Sequence, residues 1–379
     1  MPLLTRGACA CLKGVISTRP EALCDTAALP LIAEGLSQYG ERSSVPERDL
    51  TSPERPSAIL VVLASGSRRR RDFIGPDPVI PVWSRQDLLR LGGVQVSPGP
   101  RIHLRDDSIM VLTFKDLEQS GWTHKAFAYD QHFAPVADQA IDAILDLAGD
   151  IAGCELLDIC CGTGNLAASA AARGARVTAI DFAPTMIEIA RVKVPGARFE
   201  IGDAESLRFS NRSFDVALCS FGLWHLAEPD KALAEAERVL KSGGIYVYST
   251  WLPPDQGFEM FALVSNAIQT HGSMKVDLPP APPPFRFADQ GEAKRSLTAQ
   301  GFTDICFATK TAFWIGSTGE ELIDFIYKAI VRVPMLIQAQ APDAQLAIQR
   351  EIKAGAEATR VDGEIRMRWP FLVACARRR

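Results

Sequence analysis

The segment LLDICCGTGNLA, residues 156–167, has the composition of a nucleotide-binding loop. An apolar stretch typical of a buried strand runs into Gly162 and Gly164, and an alanine-rich stretch that favours a helix follows. Because glycine has no side chain, the backbone at both positions can turn tightly and approach a ligand closely. The free N–H groups of the following helix would face the same space. The segment therefore predicts a site for a nucleoside or nucleotide.

Three acidic residues have the spacing that such a site needs. Asp158 lies four residues before Gly162, where a carboxylate can cap the loop and favour a cationic ligand. Asp181 lies 23 residues after Asp158, at the end of a second strand, where a carboxylate can accept both ribose hydroxyls. Asp203 ends a third strand within Ile-Gly-Asp-Ala. From there it can accept a hydrogen bond from an adenine amino group.

The glycine loop alone leaves three interpretations open. An ordinary strand-to-helix turn would also place two glycines here. GTGNLA further fits the relaxed G-x-G-x-x-A fingerprint of nicotinamide-dependent oxidoreductases, which also place an acid after the second strand. Neither interpretation predicts Asp203 in a Gly-Asp-Ala loop. Asp181 and Asp203 in register therefore favour a different adenosine-containing cofactor.

Strand and helix patterns alternate from about residue 119 onward. Apolar runs predict strands at 155–159, 176–180, 198–201, 214–220, 245–250, 305–313 and 365–376. Helical spacing predicts helices at 137–147, 165–173, 184–192, 230–240, 258–270, 290–300, 320–331 and 344–354. Such alternation is typical of a doubly wound α/β fold, with a mostly parallel sheet covered on both faces. The proline-rich stretch 276–287 predicts a loop.

Residues 1–118 have a different character. They are rich in Pro, Arg and Ser with weak periodicity, so we expect a poorly defined, partly disordered extension before a main domain at 119–379. A strand at 58–64 and a short helix at 86–91 are the elements predicted within it. The four arginines at 68–71 could contact phosphate or RNA, but such a run is more often a solvated patch.

Composition narrows the classes of function. The net charge of −4 over 379 residues favours neither nucleic-acid binding nor attraction to an anionic membrane. No segment approaches the roughly 20 apolar residues that span a bilayer. The nine cysteines form no C-x-x-C pair, and no metal site is evident. We therefore expect free cysteines in a soluble, cytoplasmic protein that acts on a small molecule.

Four motifs in order resemble the class I S-adenosylmethionine (SAM)-dependent methyltransferases, of the small-molecule group similar to the quinone-biosynthesis methyltransferases. They are LLDICCGTGN, VTAIDFAPTMIEIAR, FEIGDAESLRFSNRSFDVALCSFGLWHL and LAEAERVLKSGGIYVYSTW. The resemblance covers roughly residues 119–379 and is strongest over 155–251. It implies a Rossmann-like sheet of seven strands in the order 3-2-1-4-5-7-6, with the seventh strand antiparallel.

Two positions depart from the family. Cys160 stands where the family usually has glycine, and YDQHFAPVADQAI at 129–141 is shorter than the N-terminal signature of the quinone enzymes. A quinone substrate is therefore not assigned.

The resemblance implies a role for each matching residue. Asp181 should bind the ribose. Asp158, on the strand that leads into the glycine loop, can orient that loop. The methionine part should be lined by Gly162, Gly164 and the Cys160 backbone. The adenine should contact Phe182, Met186, Asp203 and the Ala204 backbone, while Ser220 and Phe221 close the site and Tyr129 borders the sulfonium.

The implied reaction is direct displacement, in which an O, N or C atom of the acceptor attacks the methyl group of SAM. His225 follows the fourth strand and could act as the general base, although it could equally be a histidine that packs at the rim. An oxidoreductase and a catalytically silent SAM-binding relative remain the alternatives. The acceptor and the oligomeric state are left open.

Overall fold

The computed structural model describes residues 112–379, together with the backbone of a two-residue antiparallel strand pair, Leu104–Arg105 and Ile109–Met110. The strand predicted at 58–64, the helix predicted at 86–91 and the arginine run lie outside the described residues. The assignment of residues 1–118 as an extension stays a prediction.

One sheet organises the part of the chain that the structure describes. Its strands are β1 (Glu155–Ile159), β2 (Arg176–Asp181), β3 (Arg198–Ile201), β4 (Phe214–Ser220), β5 (Leu240–Trp251), β6 (Phe302–Gly316) and β7 (Glu364–Arg378). Their order is β3-β2-β1-β4-β5-β7-β6, and a short strand, Arg360–Val361, pairs with β7. The first five strands are parallel, whereas β7 is antiparallel to both neighbours. The predicted order and the antiparallel seventh strand are confirmed.

Eleven α-helices surround this sheet within the described residues. They are α1 (Phe114–Ala128), α2 (Ala134–Ala137), α3 (Ile141–Ala148), α4 (Asn165–Ala172), α5 (Pro184–Lys193), α6 (Pro229–Val239), α7 (Glu259–His271), α8 (Gln290–Ala299), α9 (Gly319–Ala329), α10 (Arg332–Gln338) and α11 (Pro342–Glu357).

The central strands are buried on both faces. In β1, Leu156 packs into one apolar cluster with α3, α4 and α7, while its neighbour Leu157 packs into a second cluster with α6 and α8. Adjacent residues of a strand point to opposite faces, so one apolar run supplies both clusters. This explains why two adjacent residues of β1 are both leucine, whereas a strand with one face in water would alternate.

Helix α1 is the main element that the sequence did not predict, and residue 118 lies within it. Thr113 begins the helix with a capping box, in which its side chain accepts from the Asp116 backbone and the Asp116 side chain accepts from the Thr113 backbone. A π-helical turn, Tyr129–Phe133, follows directly. π-Helical turns are frequent at functional sites.

The expectation that all cysteines are free is wrong for two of them. Cys306 on β6 and Cys375 on β7 form a disulfide with a Cα–Cα distance of 5.1 Å. They are 69 residues apart in sequence, and only the antiparallel register of β6 and β7 sets them opposite each other. Cys154, Cys160, Cys161 and Cys219 are free thiols.

None of the helices within residues 112–379 is both long enough and apolar enough to cross a membrane.

Candidate active site

The glycine loop connects β1 to α4 and contains two left-handed glycines. Gly162 has φ of 52° and Gly164 has φ of 86°, values that favour glycine. A Cβ atom on Gly164 would lie 3.0 Å from the Ala190 Cβ on α5, so this loop must pack closely against the neighbouring helix. A Cβ atom on Gly162 would face the Tyr129 ring at 3.5 Å. The loop therefore lies directly beside the π-helical turn.

Two buried carboxylates lie beneath the loop. Asp181 accepts from the Gly162 and Ala183 backbone N–H groups, both at 2.9 Å, which ties the loop to the end of β2. Asp158 is 1% exposed, and neither of its carboxylate oxygens has a hydrogen-bond partner among the described residues. Burial, and next the charge of Asp181, raise the pKa of Asp158 to about 8, and burial raises the pKa of Asp181 to about 6.

Side chains of the loop hold the π-helical turn in place. Thr163 donates to Asp130 at 2.5 Å, and Asn165 donates to Asp138 at 2.7 Å. Tyr129 is thereby fixed beside Gly162, and burial raises the pKa of its hydroxyl. This tyrosine is therefore neutral, and its ring lies against the glycine loop.

The residues predicted to contact adenine lie at the ends of β2 and β3. Phe182 and Met186 share an apolar cluster with Trp122 of α1. Asp203 accepts from the Glu205 backbone at 3.0 Å and forms an ion pair with Lys115 of α1 at 2.5 Å. Ala204 beside Asp203 is buried.

The end of β4 explains how a cysteine fits into the glycine loop. Cys160 has a left-handed φ of 57°, and the Cβ that would be added to Gly222 lies 2.5 Å from the Cys160 Cβ. The absence of a side chain at Gly222 therefore makes room for Cys160. Phe221 is left-handed as well and stacks on Trp251 at 3.8 Å, while the hydroxyl of Ser220 lies 3.3 Å from that of Ser249.

A cavity of about 330 Å³ adjoins this cleft. Its walls come from α1, the π-helical turn, the segment after β4, α7, the proline-rich loop, α10 and β7. Apolar and aromatic side chains dominate these walls, among them Phe114, Trp122, Phe133, Trp224, Trp251, Phe258, Phe261, Pro282, Pro283, Pro284, Leu336 and Trp369. Such a lining suits a small molecule with an apolar body.

The polar groups of the cavity include a histidine–carboxylate pair. The Nδ1 atom of His225 lies 2.8 Å from Oε2 of Glu118, and the same oxygen accepts from Nε1 of Trp122 at 3.0 Å. Glu118 is 1% exposed, and the Trp122 ring contacts the His225 ring edge-on at 4.9 Å. With Nδ1–H donating to Glu118, Nε2 of His225 is the nitrogen that can accept a proton.

The structure brings the predicted site residues together at the carboxyl ends of β1 to β4. Sequence reasoning missed Glu118, Trp122, Arg332 and Trp369, which lie on α1, α10 and β7. Glu118 and His225 are 107 residues apart, and no local spacing links them. The helical spacing of Glu118 and Trp122 was the signal that could have placed both on one face of a helix.

The residues beneath the loop fit the proposed cofactor. A buried, unpartnered carboxylate such as that of Asp158 is satisfied by a ligand that carries a positive charge and N–H donors. Fold and site together define the class: a doubly wound α/β protein with a nucleoside-binding loop.

Comparison with known proteins identifies this domain further. Residues 157–248 match the family described as methyltransferase domain. Demethylmenaquinone methyltransferase of Renibacterium salmoninarum is 39% identical over 114 residues, which cover 30% of this chain and 48% of that protein. Malonyl-(acyl-carrier protein) O-methyltransferase of Serratia marcescens is 32% identical over 136 residues, covering 36% and 53%. The chain thus spans about half the length of these curated relatives.

A solved structure of Haemonchus contortus phosphoethanolamine N-methyltransferase 2 with S-adenosyl-L-methionine has a TM-score of 0.43 and 19% identity, covering 71% of this chain and 61% of that chain. The sequence matches show that residues 157–248 are similar to a methyltransferase domain.

The contact between Gly222 and Cys160 generates a stability prediction. We expect Gly222→Ala to lower the free energy of unfolding by about 1–3 kcal/mol, because its Cβ overlaps the Cys160 side chain. Cys160→Gly in the same chain should recover part of that loss, which urea unfolding of the single and double variants measures. Gly196→Ala is the matched control, because nothing lies within 4 Å of its Cβ. Strictly additive effects would contradict the proposed packing.

The buried Asp158 generates a pH prediction for the ligand-free protein. Its folded-state pKa of about 8 exceeds the ordinary value of 3.8, so between these values only the folded state holds the proton. The stabilisation is complete below the ordinary value and is lost as the pH rises through about 8. We therefore expect thermal stability to fall with rising pH more steeply in the wild type than in Asp158→Asn.

Asp142→Asn, at a side chain that is 88% exposed, is the control and should keep the wild-type pH dependence. Equal slopes for wild type and Asp158→Asn would show that Asp158 is ionised in the folded protein.

Proposed function

We propose that this protein transfers the methyl group of SAM to an O, N or C atom of a small-molecule acceptor. The observation that carries the proposal is the unpartnered Asp158 carboxylate beneath the glycine loop, next to an apolar cavity that holds a histidine–carboxylate pair. A loop with a purely structural role would not need a buried carboxyl group without hydrogen-bond partners.

Each predicted residue has a role in holding the cofactor. Asp158 faces the ammonium of the methionine part, and the backbone of Cys160, Gly162 and Gly164 lines it. Asp181 binds the ribose hydroxyls. The adenine packs on Phe182 and Met186, its edge bonds to Asp203 and Ala204, and Ser220, Phe221 and Tyr129 complete the walls.

SAM, when bound, supplies a methyl group that is already activated for transfer. The chain then has to orient the acceptor and exclude water. The aromatic walls of the cavity and the proline-rich loop serve the second purpose, because they leave little polar surface for water to bind. The Trp122 ring contacts both Tyr129, which lies beside the glycine loop, and His225 in the cavity wall, so this is where the two ligands would meet.

His225 is the general base in this proposal, for an acceptor that loses a proton. Glu118 holds the ring through Nδ1 and stabilises the imidazolium that forms when Nε2 takes the proton. Trp122 fixes Glu118 by donating to the same oxygen. His225 is therefore the catalytic residue, whereas Glu118 is a positioning residue.

The acceptor is proposed only as a small molecule with an apolar body. Two curated relatives are named for different acceptors, a quinone precursor and a malonyl group on a carrier protein. A location in the cytoplasm stays a prediction, and the Cys306–Cys375 disulfide weighs against a strongly reducing compartment.

Calorimetric titration with SAM and with NADH tests the cofactor. We expect SAM to bind and Asp181→Ala to weaken that binding by about 100-fold, because two charge-assisted hydrogen bonds to the ribose are lost. Asp142→Ala, at an exposed aspartate, should bind SAM like the wild type. Tight NADH binding without SAM binding would instead identify an oxidoreductase.

Labelled SAM and a broad metabolite extract test turnover. We expect label to enter a small molecule, and His225→Ala to lower kcat by about 100- to 10,000-fold while SAM affinity is unchanged. Glu118→Gln should lower kcat less and alter the acidic limb of the pH–rate profile. His124→Ala is the control, because His124 is exposed on α1 and bonds to the Ser120 backbone.

Label in no compound, together with normal SAM binding, would identify a catalytically silent relative. Full activity of His225→Ala would remove the base from the proposal but leave methyl transfer standing.

A further inference from the structure

An arginine lies in the wall of the apolar cavity without a charged partner. Arg332 begins α10, and its guanidinium lies over the Phe114 ring at 5.5 Å. Nη2 donates to the Pro279 carbonyl at 2.7 Å, whereas Nη1 is buried and has no acceptor among residues 112–379. Burial lowers the pKa of Arg332, although Glu118 opposes the shift. Such a charge is costly to bury unless something binds to it.

Glu118 does not serve as that partner. Its Oε2 atom is already bonded to His225 and Trp122, and it forms no ion pair with Arg332 within the described part of the chain. A second donor in the same cavity is also unsatisfied, because Nε1 of the fully buried Trp369 has no acceptor in the described residues. Arg332 and Trp369 both line the apolar cavity, and a ligand that brings acceptor oxygens would satisfy donors of this kind.

The charges of the lining limit which acceptor oxygens fit. Arg332 is the one arginine or lysine among the cavity residues, and Glu118 places a carboxyl group in the same lining. A dianion such as a phosphate monoester would meet one cation and one carboxylate. A monoanionic carboxylate is balanced by Arg332 alone, and its planar geometry matches a guanidinium.

We infer that the acceptor is an apolar, ring-containing molecule with a carboxylate, and that Arg332 binds this carboxylate and so selects the acceptor. That the bound molecule is a methyl acceptor rests on the proposed function, but the anion site itself does not require methyl transfer. Arg332 is a specificity-determining residue in this view, and His225 acts on a different atom of the same molecule.

Matched acids and amides test the inference on the full chain. The probes are 2-naphthoate, trans-cinnamate and octanoate, each against its own neutral amide. Quenching of tryptophan fluorescence reports binding in the cavity, because Trp122, Trp224, Trp251 and Trp369 line it. We expect the ring-containing acids to bind about 10- to 100-fold more tightly than their amides, the range of a charge-assisted hydrogen bond.

Arg332→Met should abolish that preference, and Arg332→Lys should keep part of it. Arg366→Met is the matched control, since Arg366 also lies over an aromatic ring, Phe313 at 4.0 Å, but is exposed and outside the cavity. A thermal melt of each variant shows that it is folded. Equal affinity for acids and amides in the wild type, or an unchanged preference in Arg332→Met, would overturn the inference.

SAM titration of the same preparations keeps the two proposals apart. If SAM fails to bind while the acid preference depends on Arg332, methyl transfer is wrong and the carboxylate site stands. If SAM binds while no preference is found, the carboxylate site is wrong and the proposed function stands.

Discussion

The structure depends on a carboxylate that the fold buries without satisfying it. Asp158 lies within β1, the central strand of the sheet, and Asp181 lies at the end of its neighbour β2. Burial favours the protonated form of each, so the ligand-free protein lowers the cost by holding protons. A cationic ligand would replace those protons. The centre of the sheet therefore holds a carboxyl group whose ionised form is unfavourable until a ligand binds, as is common for functional sites.

A second unfavourable local feature, a left-handed cysteine, lies directly after β1. A non-glycine residue in the left-handed region costs roughly 1–2 kcal/mol, and Cys160 adopts that conformation where the family usually has glycine. Gly222, at the start of the segment after β4, leaves the space that the thiol needs. The missing side chain at Gly222 thus makes room for the cysteine at position 160.

The sequence predicted most of what is local. The strand at 155–159, the glycine loop and the acids at the ends of β2 and β3 follow from neighbours within a few residues, and the sheet order followed from family resemblance. The cavity could not be predicted in this way, because its parts come from segments that are distant in sequence. Glu118 reaches His225 across 107 residues, and the cross-strand pair of Cys306 and Cys375 depends on a register that no local pattern encodes. Tertiary packing decided these features.

The cofactor and the acceptor are recognised by different parts of the fold. The cofactor cleft is built from the ends of parallel strands, where backbone N–H groups and acids are fixed by the sheet itself. The cavity is built partly from sheet residues such as Trp251 and Trp369 and partly from α1, α10 and the proline-rich loop, which lie outside the sheet. Glu118 and Arg332 lie in these outer elements and bring a carboxyl group and a guanidinium into one apolar space. A change at either position would alter which acceptor is balanced electrostatically, while the residues that hold the cofactor stay as they are.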